Sequence, residues 1–391
     1  MPSVNTHPTP SARRGSLIMG RGGSMKRAAA SAAGRAALFG VTSVSTLAIV
    51  FIFVFILKES LPFFENWGDV REFFTSTVWA PSKAEPHFGA LAIFYGTAMV
   101  TLGACAIAVP LGVLAAVCLS DILPEGVRQV FKPVTELLAA VPSVAYGFFA
   151  LMVLAPVLQD GGGAILAVVC VMTGAPLGVI FSIVCAELAA SRVSSGRAAS
   201  RRVFRAVLAL MLCALAAGLA AAAAALYGTE ISSGTNALNV SLILAVMALP
   251  TIVSISEDAL SAVGRDMREG SLSLGATRAE TIFKVVIPCA KSGIIVAVIL
   301  GFMRVIGETM VVWMASGNSL KIPEPFYNFF EPVRTLTATI AGEMGEADQS
   351  TGSARYHVLF AMSLCLLVSS LALNGASEWI ARRSPLSKKR K

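Results

Sequence analysis

Eight apolar runs, each close to the ~20 residues that a helix needs to cross the hydrocarbon core of a bilayer, divide this chain. They lie near 36–57, 90–119, 135–158, 163–190, 203–227, 238–262, 291–315 and 357–380. A chain patterned this way is expected to be an all-α polytopic membrane protein with about eight transmembrane helices. Two runs hold an internal proline, Pro142 and Pro250. Proline frees a carbonyl and permits a kink, so both mark candidate bends. The run 203–227 is weakly apolar, and its Ala220–Ala225 stretch suits close helix packing better than lipid exposure.

Charge is scarce, at 14% of residues, where a soluble domain carries about a quarter. A net charge of +8 raises the question of nucleic acid. The charges, however, cluster at the ends of apolar runs, as in cytoplasmic loops, and no nucleic-acid partner is expected. The seven cysteines form no C-x-x-C and lie in or beside apolar runs, so they read as small buried hydrophobes rather than metal ligands.

Residues 1–35 are rich in Ser, Gly, Pro and Arg, contain no acid, and are expected to be a disordered basic cytoplasmic tail. The run that follows is long for a signal peptide and has no small-residue cleavage site after it, so 36–58 is expected to be an uncleaved anchor helix. Residues 59–89 are expected outside the membrane, 90–380 form the transmembrane domain, and 381–391 are a second basic cytoplasmic tail. Eight spans with both termini inside place twenty-four Lys and Arg on the cytoplasmic side and six outside, with Arg304 in the membrane. The loop at 265–290 is therefore cytoplasmic. The outer segments, about 58–89 and 316–356, carry Phe63, Phe64, Trp67, Trp79, Phe326, Tyr327, Phe329 and Phe330. These are either interfacial anchors, the preferred reading, or a cover over an outer mouth. Glu136, Glu187, Glu257 and Asp258 lie near helix ends and read as solvated or interfacial charge.

The cytoplasmic loop has its own grammar. Gly275 interrupts two short helices, Thr277 followed by Glu280 signals a capping box, and Pro288 marks the end of the second helix. A surface helix pair of this kind is either an ordinary amphipathic loop or a knob for a partner's groove. Downstream, Arg304 and Glu308 stand at i, i+4 within the run 291–315. They could pair merely to make the helix insertable, or they could face a polar path.

The spacing Glu269, Gly275, Ile287-Pro288 resembles the coupling-loop signature of ABC importer permeases, E-A-A-x3-G-x9-I-x-L-P. Gly270-Ser271 replace the two alanines, Val285 the isoleucine and Ile287 the leucine. Gly301-Phe302-Met303-Arg304-Val305-Ile306-Gly307-Glu308-Thr309-Met310, followed by Gly317-Asn318, is similar to the G-x-x-R-x-x-G-E-T-M segment of phosphate-importer permeases. Pro142-Ser143-Val144-Ala145-Tyr146-Gly147 resembles the same family's P-S-x-x-Y-G helix, and Gly96-Thr97 with Val109-Pro110-Leu111-Gly112 fit its preceding span. Thr309-Met310 favours the PstC type over the PstA type, which tends to have Ala-Pro there. The resemblance covers about 90–158 and 238–380, leaving 160–237 as an inserted helix pair.

This resemblance implies a type I ABC importer permease fold in a bacterial plasma (inner) membrane, with no cofactor and no catalytic residue. It implies a coupling loop in which Glu269, Gly275, Thr277, Glu280 and Pro288 meet an ATPase. It also implies a phosphate path with Arg304 and Glu308, to which Ser143 and Thr309 could add neutral donors. Arg304 would offer two parallel donors to a tetrahedral oxyanion. Glu308 would accept a hydrogen bond from a protonated phosphate oxygen and repel sulfate, which lacks that proton at neutral pH. The partners implied are membrane lipid, a PstA-type second permease subunit, a dimer of ATP-binding motor subunits and an extracytoplasmic phosphate-binding protein. The chain has no G-x-x-x-x-G-K-[S/T] loop, so the motor is expected on another chain. The alternatives are an ABC permease for molybdate or sulfate, an ion-coupled secondary transporter acting through Glu308, and an intramembrane enzyme. No Ser/His or Asp/Asp arrangement supports the last.

Overall fold

In lipid every backbone polar group must be satisfied within the segment, which makes helix the default for long apolar runs. The computed structural model describes residues 21–83, 85–191, 197–228, 231, 233–347 and 353–382. Helix α1 (Arg21–Phe64) is followed by α2 (Trp67–Thr75) and by a minimal antiparallel pair, β1 (Trp79–Ala80) and β2 (His87–Phe88), with Trp79 opposite Phe88. Next come α3 (Leu91–Val117), extended by a π turn at Cys118–Ile122, then α4 (Glu125–Ala140) and α5 (Ser143–Phe149). A π turn at Ala150–Leu154 leads into α6 (Ala155–Ser191), and α7 (Arg197–Tyr227) and α8 (Ala237–Ser261) follow. The cytoplasmic loop forms α9 (Arg265–Ser273) and α10 (Arg278–Thr281), and a π turn at Ile282–Val286 joins it to α11 (Ile287–Ile306). The chain ends with α12 (Met310–Ala315), α13 (Leu336–Glu343) and α14 (Ala354–Arg382).

Residues up to Ile56 and residues from Leu57 form two compact units. The described part of the first is one helix, with exposed apolar side chains such as Leu38, Phe39 and Phe51. Residues 21–35, expected to belong to the tail, are already part of this helix, and Ala28–Ala30, Ala32 and Ala33 are strong helix formers. Residues 1–20 and the tail beyond Arg382 lie outside the described residues.

Among the described residues, seven helical stretches are long and apolar enough to cross a membrane. One of them, Ser143–Ala186, contains most of both runs expected at 135–158 and 163–190. Gly161 (φ −139°, ψ 25°) leaves helical conformation and divides that stretch at a kink. The runs therefore meet at a bend, not across a loop. The first of them also begins later than expected. Residues 125–140 form the amphipathic α4, and Pro142 breaks the chain before α5. Pro250, by contrast, lies inside an uninterrupted α8.

The core of the second unit is the packing of α3, α8 and α11. Ile252 of α8 is fully buried, and a Cβ on Gly112 of α3 would stand 2.7 Å from its Cγ2. A Cβ on Gly301 of α11 would stand 2.6 Å from its Cγ1. One isoleucine thus fills two notches on neighbouring helices, the small-residue logic of membrane helix contacts. In the α6–α7 hairpin the close approach comes from Gly174 and Gly178, which lie against Leu219 and Leu215. The Ala220–Ala225 face does not supply it, for Ala220, Ala221, Ala224 and Ala225 are exposed. Glycine leaves a deeper notch than alanine, so the tighter seam forms there.

A second cluster packs the outer segments. Phe63, Phe73 and Phe88 are buried, with Phe63 edge-on to Phe73 at 5.4 Å and to Phe88 at 5.7 Å. Such pairs add about 0.5–1.5 kcal/mol each beyond burial. Trp79 is buried as well and donates from Nε1 to Glu343 Oε1 at 2.9 Å. Of the aromatics expected as interfacial anchors, Phe63 and Trp79 are core residues, while Trp67, 79% exposed, keeps the character of an anchor.

Candidate functional site

Two places carry the residues singled out in the sequence. The first is the cytoplasmic loop. Gly275 adopts φ +86°, a left-handed conformation that glycine takes without strain, and it turns the chain between α9 and α10. Thr277 Oγ1 accepts from Glu280 N at 3.2 Å, and Glu280 Oε2 accepts from Thr277 N at 2.9 Å, which completes the capping box. Ser271 Oγ lies 3.0 Å from Thr281 Oγ1 and ties the two short helices together.

Pro288 does not end the second helix. The helical path runs from α10 through the π turn at Ile282–Val286 into α11, with Pro288 in the first turn of α11. A proline ring clashes with the carbonyl four residues back, and a π turn immediately before it relaxes that spacing.

What fixes the loop to the membrane domain is Arg268. Its Nη2 donates to Leu260 O at 2.9 Å and lies 3.2 Å from Asp121 Oδ1. These contacts border an open pocket of about 220 Å³ between the end of α3 and the loop, lined by Ser120, Asp121, Arg268 and Arg278 among others. Around it the loop shows apolar side chains to water. Leu274 is 91% exposed, and Met267, Leu272 and Phe283 are exposed too. Glu269 is likewise on the surface. The tied base thus carries exposed Leu and Met side chains.

The second place is the break after α11. The run expected to continue to 315 stops at Ile306, and Gly307 caps it at φ −84°, ψ −3°. Arg304 and Glu308 therefore do not share a helical face, and among the described residues no ion pair within 4.0 Å joins them. Arg304 is exposed in the last turn of α11, within electrostatic range of the Tyr146 phenol. Glu308 is half-buried, and its carbonyl accepts from Thr337 Oγ1 at 2.7 Å. Thr309 precedes α12 and makes no side-chain cap.

Helix α5 crosses α12 at Gly147, where a Cβ would stand 2.9 Å from Met314 Sδ and 3.2 Å from Val311 Cα. Ser143 opens α5, and Tyr146 anchors it by donating to Leu138 O at 2.9 Å. The fold thus brings the segment 142–147 against the segment that follows Thr309. It leaves the coupling-loop residues apart from both.

Two charged clusters escaped the sequence reading. Glu257, expected to be solvated, is 2% exposed and binds Arg128 and Lys132, with Lys132 Nζ 3.0 Å from its Oε2. The signal was present. Val253 and Leu260, one turn to either side on α8, are both buried, so Glu257 shares the core face. Its hydrogen bond to Lys132 raises the pKa of that amine above the ordinary lysine value. On the outer side, Glu343 lies 3.2 Å from Arg334 Nη1 and 3.5 Å from Arg355 Nε, and it also takes the Trp79 bond. No short-range pattern joins residues so far apart in the chain.

The family described as binding-protein-dependent transport system inner membrane component matches residues 178–384. The match begins inside the segment expected to be an insertion and takes in its residues 178–237. The probable ABC transporter permease protein YqgH of Bacillus subtilis is 32% identical over 86% of this chain and 86% of its own length. The phosphate transport system permease protein PstC of Mesorhizobium japonicum is 32% identical over 80% of this chain and 78% of its own. PstC of Haemophilus influenzae is 26% identical over 85% and 88%.

Proposed function

Because the chain belongs to the family of binding-protein-dependent transport system inner membrane components, we propose that it is the PstC-type permease subunit of an ATP-driven importer of inorganic phosphate. As a family member it is a multi-pass inner-membrane protein with the type I ABC permease fold, a transporter subunit and not itself an enzyme. Phosphate as the solute is supported by the names of its PstC relatives and by one structural observation. Helix α11 ends at Ile306 and presents an exposed Arg304 just before the irregular Gly307-Glu308-Thr309, beside the crossing of α5 and α12.

A helix break inside a membrane domain leaves backbone groups that need a polar surrounding, and an arginine there is stable only toward a partner or a cavity. Arg304 would hold the oxyanion through two parallel N–H donors. Glu308, released from an ion pair with Arg304, keeps its carboxylate for the proton of hydrogenphosphate. Ser143 and Thr309 sit on the two crossing elements and would add neutral donors. An extracytoplasmic phosphate-binding protein would deliver the ion to the outer segments. A PstA-type subunit would complete the path.

A dimer of separate ATP-binding subunits would seat the loop Glu269–Pro288 with its exposed Leu274. Closure of that dimer on ATP would pull the loop, and the tie from Arg268 to Leu260 and Asp121 would carry the pull into α8 and α3.

Reconstitution of the chain with its co-purified partners in proteoliposomes tests this. ATP-dependent phosphate uptake, resistant to excess sulfate and molybdate and lost in Arg304→Ala, is the expected result. Uptake driven by an ion gradient without ATP, or a preference for sulfate or molybdate, would overturn the proposal.

A further inference from the structure

We propose that the cleft between the start of α11 and the end of α14 is a binding site for one anionic phospholipid. The cleft encloses about 300 Å³ and is lined by Pro288, Lys291, Ser292, Ile295, Trp379 and Ile380. Its chemistry is two-ended. Lys291, exposed, and Ser292 stand at the end nearer the cytoplasmic loop, while Ile295, Trp379 and Ile380 form an apolar wall. Trp379 is 56% exposed beside that wall, the position that an amphipathic indole takes at a membrane interface.

The charge around the cleft favours an anion. The acid nearest in sequence, Glu378, is engaged by Arg382 at 2.6 Å on the same helix. In the sequence, α14 is followed by Arg383, Lys388, Lys389, Arg390 and Lys391. A cluster of five cations just after a membrane helix is the composition that draws anionic headgroups. A phospholipid with its phosphate at Lys291 and its chains along Ile295 and Trp379 satisfies both ends of the cleft at once. A purely apolar partner helix would strand Lys291 against hydrocarbon.

The site lies one helical turn beyond Pro288, so its occupant would brace the point where the cytoplasmic loop enters the membrane. The inference does not depend on which solute the protein carries.

The test uses the chain in the assembly it purifies with, in nanodiscs of phosphatidylcholine doped with brominated lipid. The signal of Trp379 is taken as the difference between the chain and its W379F variant. Brominated phosphatidylglycerol is expected to quench Trp379 more than brominated phosphatidylcholine at equal mole fraction. Lys291→Gln is expected to weaken that preference about fivefold, and Lys291→Arg to keep it. Equal quenching by the two lipids, or a preference untouched by Lys291→Gln, would overturn the proposal. So would the absence of quenching by either lipid, which would mean that protein covers the cleft. Loss of the preference on adding inorganic phosphate would point to a free anion and overturn it too.

Discussion

The guanidinium of Arg268 reaches from the cytoplasmic loop to the carbonyl of Leu260, 2.9 Å away, in the last turn of α8. The same nitrogen lies 3.2 Å from Asp121 Oδ1 at the end of α3. Asp121 is nearly buried, with 7% of its side chain exposed, and Arg268 retains 24%. Helices α8 and α3, which meet at Ile252, are therefore both held by one side chain of the loop. A force applied to α9 has a short, stiff route into the core.

Arg268→Ala should uncouple the loop without preventing insertion. Hydrogen bonds to charged groups contribute about 1.5–3 kcal/mol, enough for roughly a tenfold loss of coupled transport. The measurement is ATP hydrolysed per phosphate imported in proteoliposomes, which should rise in the variant. An unchanged ratio would remove Arg268 from the transmission path.

The capping box calls for a second variant. Replacing Thr277 by Ala removes the oxygen that accepts from Glu280 N, a cap whose loss costs about 1 kcal/mol of local helix stability. Hydrogen exchange should speed up across α10 and leave α9 slower to respond, because Ser271 still holds Thr281. Equal exchange in parent and variant would mean that the π turn and α11, not the cap, order this segment.

Glu257→Gln should destabilise the domain by about 3 kcal/mol, since it leaves Arg128 and Lys132 facing a buried neutral group. Asp258→Asn, at an exposed neighbour, should change little. Thermal melting in detergent distinguishes the two. The pH dependence has a definite sign. The folded pKa of Lys132 is raised, so its contribution is full below the ordinary lysine value near 10.4 and falls only as pH rises through the folded pKa. Melting between pH 7 and 9 should not respond to this pair.

What could be read from the chain beforehand was local or statistical. The capping box needs only Thr277 and Glu280, three residues apart. The membrane runs need only length and hydropathy. What escaped was tertiary. In the run 291–315, Gly307 is a weak signal that the helix stops at Ile306, because glycine is also frequent inside membrane helices. The break is held from outside, by Thr337 on the Glu308 carbonyl and by α5 pressing on α12 at Gly147. Pro288 looked like a terminator because a π turn is invisible in composition. Arg268 and Asp121 are distant in sequence, so their contact follows from the fold alone.

The notches around Ile252 predict a non-additive pair. A methyl on Gly301 would meet Ile252 Cγ1 at 2.6 Å, closer than carbon atoms approach. Gly301→Ala should therefore cost about 1–3 kcal/mol by overpacking. Ile252→Ala alone should cost about 2–5 kcal/mol by leaving a cavity. The double variant should be more stable than the sum of the two losses allows, since each change relieves the other. Melting of the four proteins gives the coupling, and strict additivity would mean that α8 and α11 separate to accommodate the methyl.

Glu308 offers the sharpest test of solute choice. With α11 ended at Ile306, its carboxylate is not consumed by Arg304, and it stands half-buried at the break beside the α5–α12 crossing. A carboxylate in that position accepts a hydrogen bond from an oxyanion that carries a proton and repels one that does not. Hydrogenphosphate carries such a proton near neutral pH, and sulfate does not. Glu308→Gln keeps the size of the side chain and removes the repulsion. Sulfate should then inhibit phosphate uptake about tenfold more effectively, the effect of ~1.4 kcal/mol of lost discrimination. Arg304→Ala should abolish uptake of both ions, because it removes the guanidinium proposed to hold them. Uptake and phosphate-over-sulfate preference unchanged in Glu308→Gln would leave the Glu308 carboxylate no part in solute choice, and the discrimination would have to lie in the binding protein instead.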